Sequence, residues 1–418
     1  MNAEELKSFL KNRLPPEINR LILHAAELAA SQNLHLYLVG GLVRDFLLNK
    51  TPKDADLVLA ANAIKFGQGL LEGFNYKATL HPRFNNLSAD INGFKLDIST
   101  ARNEFYPDPG KLPEVLEGDI KADLFRRDFK INAMALSLSP QDFGCLVDPY
   151  NGLTDLKQHK LSVLHPKSFR DDPSRIWRAL RYSERLGFDI SSETLTLLQR
   201  DAQLIPLIGA DRLRYEMECI FKEAKPENIL LKAEETGVLK NSLPFIKADN
   251  WPADKFAEAR NMYGENVSPE IYLCLLSVRL DKPQAEALIT GLHLSKYISA
   301  CLRDYQCLAE HLAELGRVDL SPSRLYGILV KCKKEARQAF YIANDNPIIR
   351  KHLMLFQEEL SGIKPCLKGI DLLTLGFAPG PDIKAVLAEL LNLKLDGKIP
   401  SRTDEIDYVK RRQADDQV

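Results

Sequence analysis

Residues Leu36 to Leu59 constrain this chain more than any other segment. Leu36-Tyr37-Leu38-Val39 is a short apolar run with strand character, and Gly40-Gly41 follows it. Val43 to Leu48 then opens a helical pattern, and Asp54-Ala55-Asp56-Leu57-Val58-Leu59 is strand-like again. A strand that turns directly into a helix needs backbone freedom at the junction, which two glycines supply. Glycines also let the main chain approach a phosphate, and the free N–H groups of a helix start favour an anion. On the second strand, residues two apart share a face, so Asp54 and Asp56 project together. Carboxylates that close repel unless a cation lies between them, and hard oxygen ligands suit Mg²⁺. Aspartate also disfavours strands, which argues against a merely solvated strand end. The unit therefore predicts a triphosphate cradle at Gly40, Gly41, Arg44 and Asp45, beside a metal-binding pair at Asp54 and Asp56.

A chain of 418 residues exceeds one ordinary core, so two to four domains are expected. Net charge is −1, from 56 basic and 57 acidic residues, so any nucleic-acid binding must come from a local basic face. Seven cysteines lack paired CxxC spacing and read as reduced thiols of a cytoplasmic protein. Met1 to Arg13 has no apolar run typical of a signal peptide, and no segment reaches transmembrane length, so no membrane partner is expected.

Glu4 to Ser31 reads as helix, with Ile18, Leu21, Ile22 and Leu28 at helical spacing. Leu87–Ile91 and Phe94–Ile98 flank Asn92-Gly93, a strong hairpin signal. Asp97 falls on the polar side of the second of these strands. It either completes a three-carboxylate site or pairs outward with Lys95 or a loop. Asn103 to Phe125 is polar and broken by three prolines and a glycine, which predicts a long mobile loop beside the site. After Lys167 the pattern is helical, with proline and glycine between the periodic segments.

Two arginine groups carry further chemistry. Arg126-Arg127 precedes the apolar stretch Ile131 to Leu138, and a guanidinium fork matches phosphate oxygens, while Asn132 can hydrogen-bond a ribose hydroxyl. In Asp171-Asp172-Pro173-Ser174-Arg175, Asp172 reads as a helix N-cap with Pro173 at the first helical position. Arg175, Arg178, Arg181 and Arg185 then recur on one helical face. Such a stripe serves phosphates or base edges, or forms a salt-bridged surface.

Taken in order, Gly40-Gly41-Leu42-Val43-Arg44-Asp45, Asp54-Ala55-Asp56, Arg126-Arg127-Asp128-Phe129-Lys130-Ile131-Asn132-Ala133 and Asp171-Asp172-Pro173-Ser174-Arg175 resemble the motifs of the class II tRNA nucleotidyltransferase and bacterial poly(A) polymerase family. Asp148 to Leu156 resembles that family's hinge, and Leu367 to Leu372 with Gly380-Pro381 resembles a late segment of its long members. Asp171 departs from the glutamate many members carry, which shifts weight to Asp172 and Arg175. The resemblance implies an α/β nucleotidyltransferase head with a small mixed sheet of five strands, followed by an all-α neck, body and tail. The corresponding boundaries are 1–150, 151–240 and 241–418. It implies template-independent transfer of CMP and AMP from CTP and ATP to the tRNA 3′ acceptor end, with Mg²⁺ on Asp54 and Asp56 and Asp97 assisting. Cytosine and adenine both place an amino donor beside a ring-nitrogen acceptor. A carboxylate on Asp172 and a guanidinium on Arg175 complement that edge and mismatch uracil and guanine. Addition of CC alone or of A alone, poly(A) synthesis, and a non-catalytic RNA-binding scaffold are the alternatives.

Overall fold

The computed structural model describes residues 2–72, 74, 76–264 and 266–415. The chain divides into two compact units, Met1–Glu216 with Lys232–Ser242, and Met217–Leu231 with Leu243–Val418.

The first unit begins with two helices rather than the single helix expected over Glu4–Ser31. These are α1 (Ala3–Arg13) and α2 (Pro16–Ser31), separated at Leu14-Pro15, because neither proline can donate the N–H a continuous helix needs. Then follow β1 (Leu36–Val39), α3 (Gly41–Leu47), β2 (Asp54–Leu59), α4 (Ala63–Leu70), β3 (Ala78–His81), β4 (Asn86–Ile91) and β5 (Phe94–Thr100). Asn92 and Gly93 take φ of 53° and 86°, the left-handed pair that a two-residue hairpin turn requires. Next come β6 (Arg102–Phe105), β7 (Glu114–Glu117), α5 (Ile120–Phe125), β8 (Ala135–Ser137) and β9 (Leu146–Val147). The helices α6 (Gly152–Lys157), α7 (Ser168–Asp171), α8 (Ser174–Leu186), α9 (Ser192–Asp201) and α10 (Ala210–Phe221) continue the chain.

The main sheet is mixed and has seven strands in the order β3-β4-β5-β2-β1-β8-β9, with β2–β5 its parallel pair. Five strands were expected; the two extra lie at the edges. All four residues of β3 are exposed and β9 has two residues, so neither shows the alternation by which a strand is read. Val39, Val58, Ala101, Leu124, Ala133 and Ala135 form a core under the sheet's centre. On α8, Ile176, Trp177 and Leu180 are fully buried.

The segment expected as a long mobile loop contains regular structure. Residues 102–105 and 114–117 pair as an antiparallel hairpin, and α5 completes the stretch, capped by Asp119, which accepts from Ala122 N at 2.8 Å. The prolines and glycine that suggested disorder fall in the hairpin's tip, where a turn needs them. A Cβ on Gly110 would lie 2.7 Å from the Leu207 carbonyl oxygen, so the tip packs closely.

The second unit is helical. Pro269, Pro322, Pro347 and Pro381 each start a helix, where their missing N–H costs nothing. Phe256, Tyr272 and Phe340 are buried in its core. A separate cluster near the C-terminus joins Leu367, Leu372, Val386, Leu390, Ile399 and Val409. The buried carboxylate of Glu405 accepts from the backbone N–H of Cys366 and Leu367 and from Lys394, which ties this end together. Lys410, Arg411 and Arg412 lie in the helix Arg402–Asp415, where Arg412 pairs with Glu389 at 2.7 Å. All seven cysteines are free thiols, and among the described residues no helix is long and apolar enough to cross a membrane.

One contact sets how closely α4 approaches the sheet. A Cβ on Gly67 would lie 2.9 Å from Leu87 Cδ1 and 3.2 Å from Ile98 Cδ1. Gly67→Val is therefore expected to lower the unfolding free energy by about 1–3 kcal/mol, as overpacking does. Urea titration followed by circular dichroism checks this; an unchanged midpoint would refute the close packing.

Candidate active site

The parallel pairing of β2 and β5 sets Asp54 opposite Lys95 and Asp56 opposite Asp97. Cross-strand partners share a face, so three carboxylates and one ammonium occupy a patch two residues long and two strands wide. Asp97 both shares the face of Asp56 and pairs with Lys95, whose Nζ donates to Asp97 Oδ2 at 2.6 Å. Asp97 Oδ1 is buried and has no hydrogen-bond partner. Burial pushes the Asp56 carboxyl up to about 6, Arg127 opposes this, and Asp54 and Asp97 add to it. Asp54 is raised as well, first by burial and next by Asp45. Among the described residues, no three acidic, histidine or cysteine side chains are gathered into a ready metal cluster. Yet the donors are hard oxygens, one of them orphaned and two on carboxyls whose ionisation is resisted. That donor set fits a divalent cation.

Gly40 stands at the mouth of this patch with φ of 71°, a left-handed conformation that favours glycine. A Cβ there would lie 2.8 Å from Arg127 Nη1 and 3.1 Å from Asp56 Oδ2. Gly40 thus leaves room for a guanidinium and a carboxylate to face one another. At Gly41 a Cβ would meet Arg44 Nη2 and Asp54 Oδ1, each at 3.6 Å. Arg127 is aimed by the buried Asp123, which accepts from its Nη2 at 3.0 Å.

Arg44 is buried and already engaged. Its Nε and Nη2 donate to Asp45 Oδ1 at 3.0 and 2.8 Å, and its Nη1 donates to Asn132 Oδ1 at 2.7 Å. Asn132 Nδ2 in turn donates to Asp128 Oδ1 at 2.9 Å, and Asp128 Oδ2 accepts from Arg178 at 2.7 and 3.0 Å. Burial works to raise the Asp128 carboxyl, but Arg178 and Asn132 outweigh it and hold it at about 2. Arg178 and Arg181 also face Glu216, at 3.8 and 3.3 Å. Arg44, Arg178, Arg181 and Arg185 all lie 5.3–5.6 Å from the Tyr182 ring. The arginine stripe is therefore mostly internal: Arg175 and Arg181 are buried and Arg185 is exposed.

Arg126, Asp171 and Arg175 line a cavity of about 420 Å³ with Tyr106, Phe125 and His165. Arg175 donates through Nη1 to Ser168 Oγ at 2.9 Å and through Nη2 to the Arg126 carbonyl at 2.6 Å. Its guanidinium lies 5.9 Å from the Tyr106 ring centre, which brings the hairpin β6–β7 to the base of α8. Burial, Arg175 and Lys167 press His165 down to about 4, so it is neutral at pH 7. Asp172 and Arg178 line another cavity, of about 370 Å³. Asp172 was expected at the N-cap with Pro173 at the first helical position; the cap is instead Pro173, one residue on, and Asp172 Oδ1 accepts from Ser174 N at 3.1 Å. The same oxygen accepts from Arg212 at 2.6 Å and Ser174 Oγ at 2.7 Å.

The sequence offered Lys95 only as one possible partner of Asp97, passed over Asp123, Tyr182, Arg212 and Glu216, and gave Asp128 no role. Asp128 had a local signal, an acid set between two arginines and a buried phenylalanine, and Asp123 and Tyr182 lie within four residues of arginines they meet. Arg212 and Glu216 had none, because their partners lie 35 to 40 residues away.

The raised Asp56 carboxyl has a measurable consequence. Folding takes up a proton there between pH 4 and 6, so the site favours folding at low pH and opposes it once the pH rises through 6. Asp56→Asn is expected to raise the unfolding free energy at pH 7.5 by about 1–3 kcal/mol without divalent ions, the gain vanishing near pH 4. Chelator-treated protein unfolded in urea at both pH values tests this. A loss at pH 7.5 would contradict it.

A glycine-led strand–helix–strand unit with paired acids on the inner strand, followed by helices, defines a nucleotidyltransferase head on a helical carrier. The sequence comparisons agree. Residues 36–162 match the poly A polymerase head domain, and residues 187–250 match the probable RNA and SrmB-binding site of polymerase A. An A-adding tRNA nucleotidyltransferase of Halalkalibacterium halodurans is 28% identical, with 98% of this chain and 96% of the relative aligned. A CC-adding tRNA nucleotidyltransferase of Deinococcus radiodurans is 30% identical over 94% of this chain and 93% of the relative. An A-adding enzyme of Geobacter sulfurreducens is 28% identical over 97% of this chain, which spans about half (48%) of that relative's length. Among solved structures, a CCA-adding enzyme superimposes with a TM-score of 0.80 at 28% identity, covering 97% of this chain and 98% of the other. The Thermotoga maritima CCA-adding enzyme complexed with tRNA superimposes with a TM-score of 0.74 at 27% identity, with 97% and 98% covered. The chain belongs to the tRNA nucleotidyltransferase and poly(A) polymerase family.

Proposed function

We propose that this chain transfers nucleotides from CTP and ATP to the 3′ end of tRNA, without a template. The observation that carries the reading is the register of β2 against β5, which lays Asp54, Asp56 and Asp97 on one face beside Gly40. In the reaction the RNA 3′-oxygen attacks the α-phosphorus of a bound triphosphate and pyrophosphate leaves. Asp54 and Asp56, with Asp97, would hold Mg²⁺, which when bound neutralises phosphate charge and eases loss of the hydroxyl proton. Gly40 lets the backbone come close to the phosphates, and Arg127 stands ready to share their charge. Arg44 and Asn132 shape the floor from below. Structures in the family include CCA-adding enzymes in complex with ATP, with CTP and with tRNA, which supports these substrates here.

Base choice is assigned to Asp172 and Arg175. The three hydrogen bonds that Asp172 accepts fall on Oδ1, so Oδ2 remains to accept from the amine of cytosine or adenine. Arg175 has to release Ser168 or the Arg126 carbonyl to meet the ring nitrogen. Tyr106 over its guanidinium gives the hairpin a lever on that exchange, and hence on which base is read.

A second reading, addition of the terminal A alone, is favoured by three relatives named as A-adding enzymes, 28–38% identical. One assay separates the two. Three tRNA transcripts, lacking CCA, ending in CC, and complete, are each offered every nucleoside triphosphate, and product lengths are read on a gel. Full addition extends the first with CTP and then ATP. The A-adding reading extends only the CC-ended transcript. UTP and GTP are expected to be rejected; UTP used as well as CTP would remove the base-reading argument. Asp54→Asn is expected to lower the rate at least ~100-fold, and full activity in that variant would favour a non-catalytic RNA-binding role instead.

A second expectation concerns the hairpin. Tyr106→Ala is expected to change the ratio of ATP to CTP incorporation by about 3- to 10-fold, the range of one lost aromatic contact with a cation. An unaltered ratio would detach the hairpin from base choice.

A further inference from the structure

We propose that Lys95 is a resident counter-cation of the carboxylate face. Its ammonium neutralises Asp97 in the metal-free protein and must move aside when a divalent cation binds, so Lys95 sets how much divalent cation the site demands. This rests on the metal-dependent reading above and adds to it a residue that has no part in that reading.

Three features point to this role. The strand register places Lys95 directly across from Asp54, within the acidic patch rather than at its margin. The ammonium sits 2.6 Å from Asp97 Oδ2, while Oδ1 of the same carboxylate is buried without a partner. One of the two oxygens a metal would seek is therefore taken by a competing cation, and the other is unsatisfied. Finally, the two partners differ in freedom: the Lys95 side chain is 60% exposed and that of Asp97 is 24% exposed. The long, solvated side chain can swing out while the short one stays fixed to the strand.

A single positive charge within a few ångströms opposes entry of a dication. It also relieves repulsion among three carboxylates when no dication is there. Removing it should tighten metal binding and weaken the empty protein, a combination that a purely structural surface lysine does not produce.

The test uses the full chain with Mn²⁺ as the probe, without nucleotide or RNA. Binding is followed by titration calorimetry or by the paramagnetic signal of free Mn²⁺, and melting temperature is measured in chelator and in Mn²⁺. Lys95→Met and Lys95→Gln are expected to bind Mn²⁺ about 3- to 10-fold more tightly than wild type. Both should melt lower in chelator and recover in Mn²⁺. Lys95→Arg, which keeps the charge, should stay within about twofold of wild type. Unchanged or weaker Mn²⁺ binding in Lys95→Met, with wild-type binding abolished by Asp56→Asn, overturns the role of Lys95 alone. Mn²⁺ binding that survives Asp56→Asn overturns the metal-dependent reading and this proposal together.

Discussion

The parallel pairing of β2 with β5 is the constraint on which the site depends. It fixes Asp56 against Asp97 and Asp54 against Lys95, and a slip of one residue would turn Asp97 to the other face of the sheet. Two facts hold that register. Leu57, Leu96 and Ile98 are fully buried on these strands, so the slip would expose them. The hairpin turn at Asn92-Gly93 also locks β5 to β4, with Ile91 facing Phe94. Apolar packing thus places the charges, and the charges contribute tension rather than stability, since burial resists the ionisation of Asp54 and Asp56.

A second layer of charge lies beneath. The sequence of contacts from Asp45 through Arg44, Asn132 and Asp128 to Arg178 runs from α3, directly after the glycine pair, to the middle of α8. Each member is satisfied by the next, so the buried guanidinium of Arg44 is held in one orientation. Breaking a buried pair leaves an unpaired charge, which is why such chains are rigid. Arg44 and Asn132, which look from their motifs like groups that touch a ligand, are in this structure tied to Asp45, to each other and to Asp128.

Much of this was legible in the order of residues. The strand–glycine–helix–strand unit, the hairpin at Asn92-Gly93 and the helical C-terminal half are local features with strong periodicity or turn chemistry. Asp54 and Asp56 announced themselves because aspartate is out of place on a strand. The errors have equally local causes. Pro15-Pro16 broke a helix that apolar spacing alone made continuous. The hairpin β6–β7 was mistaken for a loop because its tip holds the prolines and its strands are four residues long and mostly exposed. Edge strands β3 and β9 carry no alternation at all.

By itself, then, the sequence determined the strand–helix–strand unit at the glycine pair, the hairpin at Asn92-Gly93, the helical C-terminal half, and which family the motifs resemble. Tertiary structure decided what each charged group touches. Lys95 became the partner of Asp97, Glu216 met Arg178 and Arg181, and Arg212 met Asp172, over separations of 2, 38, 35 and 40 residues. Apart from the first, no local rule links such positions. Charged side chains carry no periodicity of their own, and they go where the packing of apolar faces leaves them facing one another.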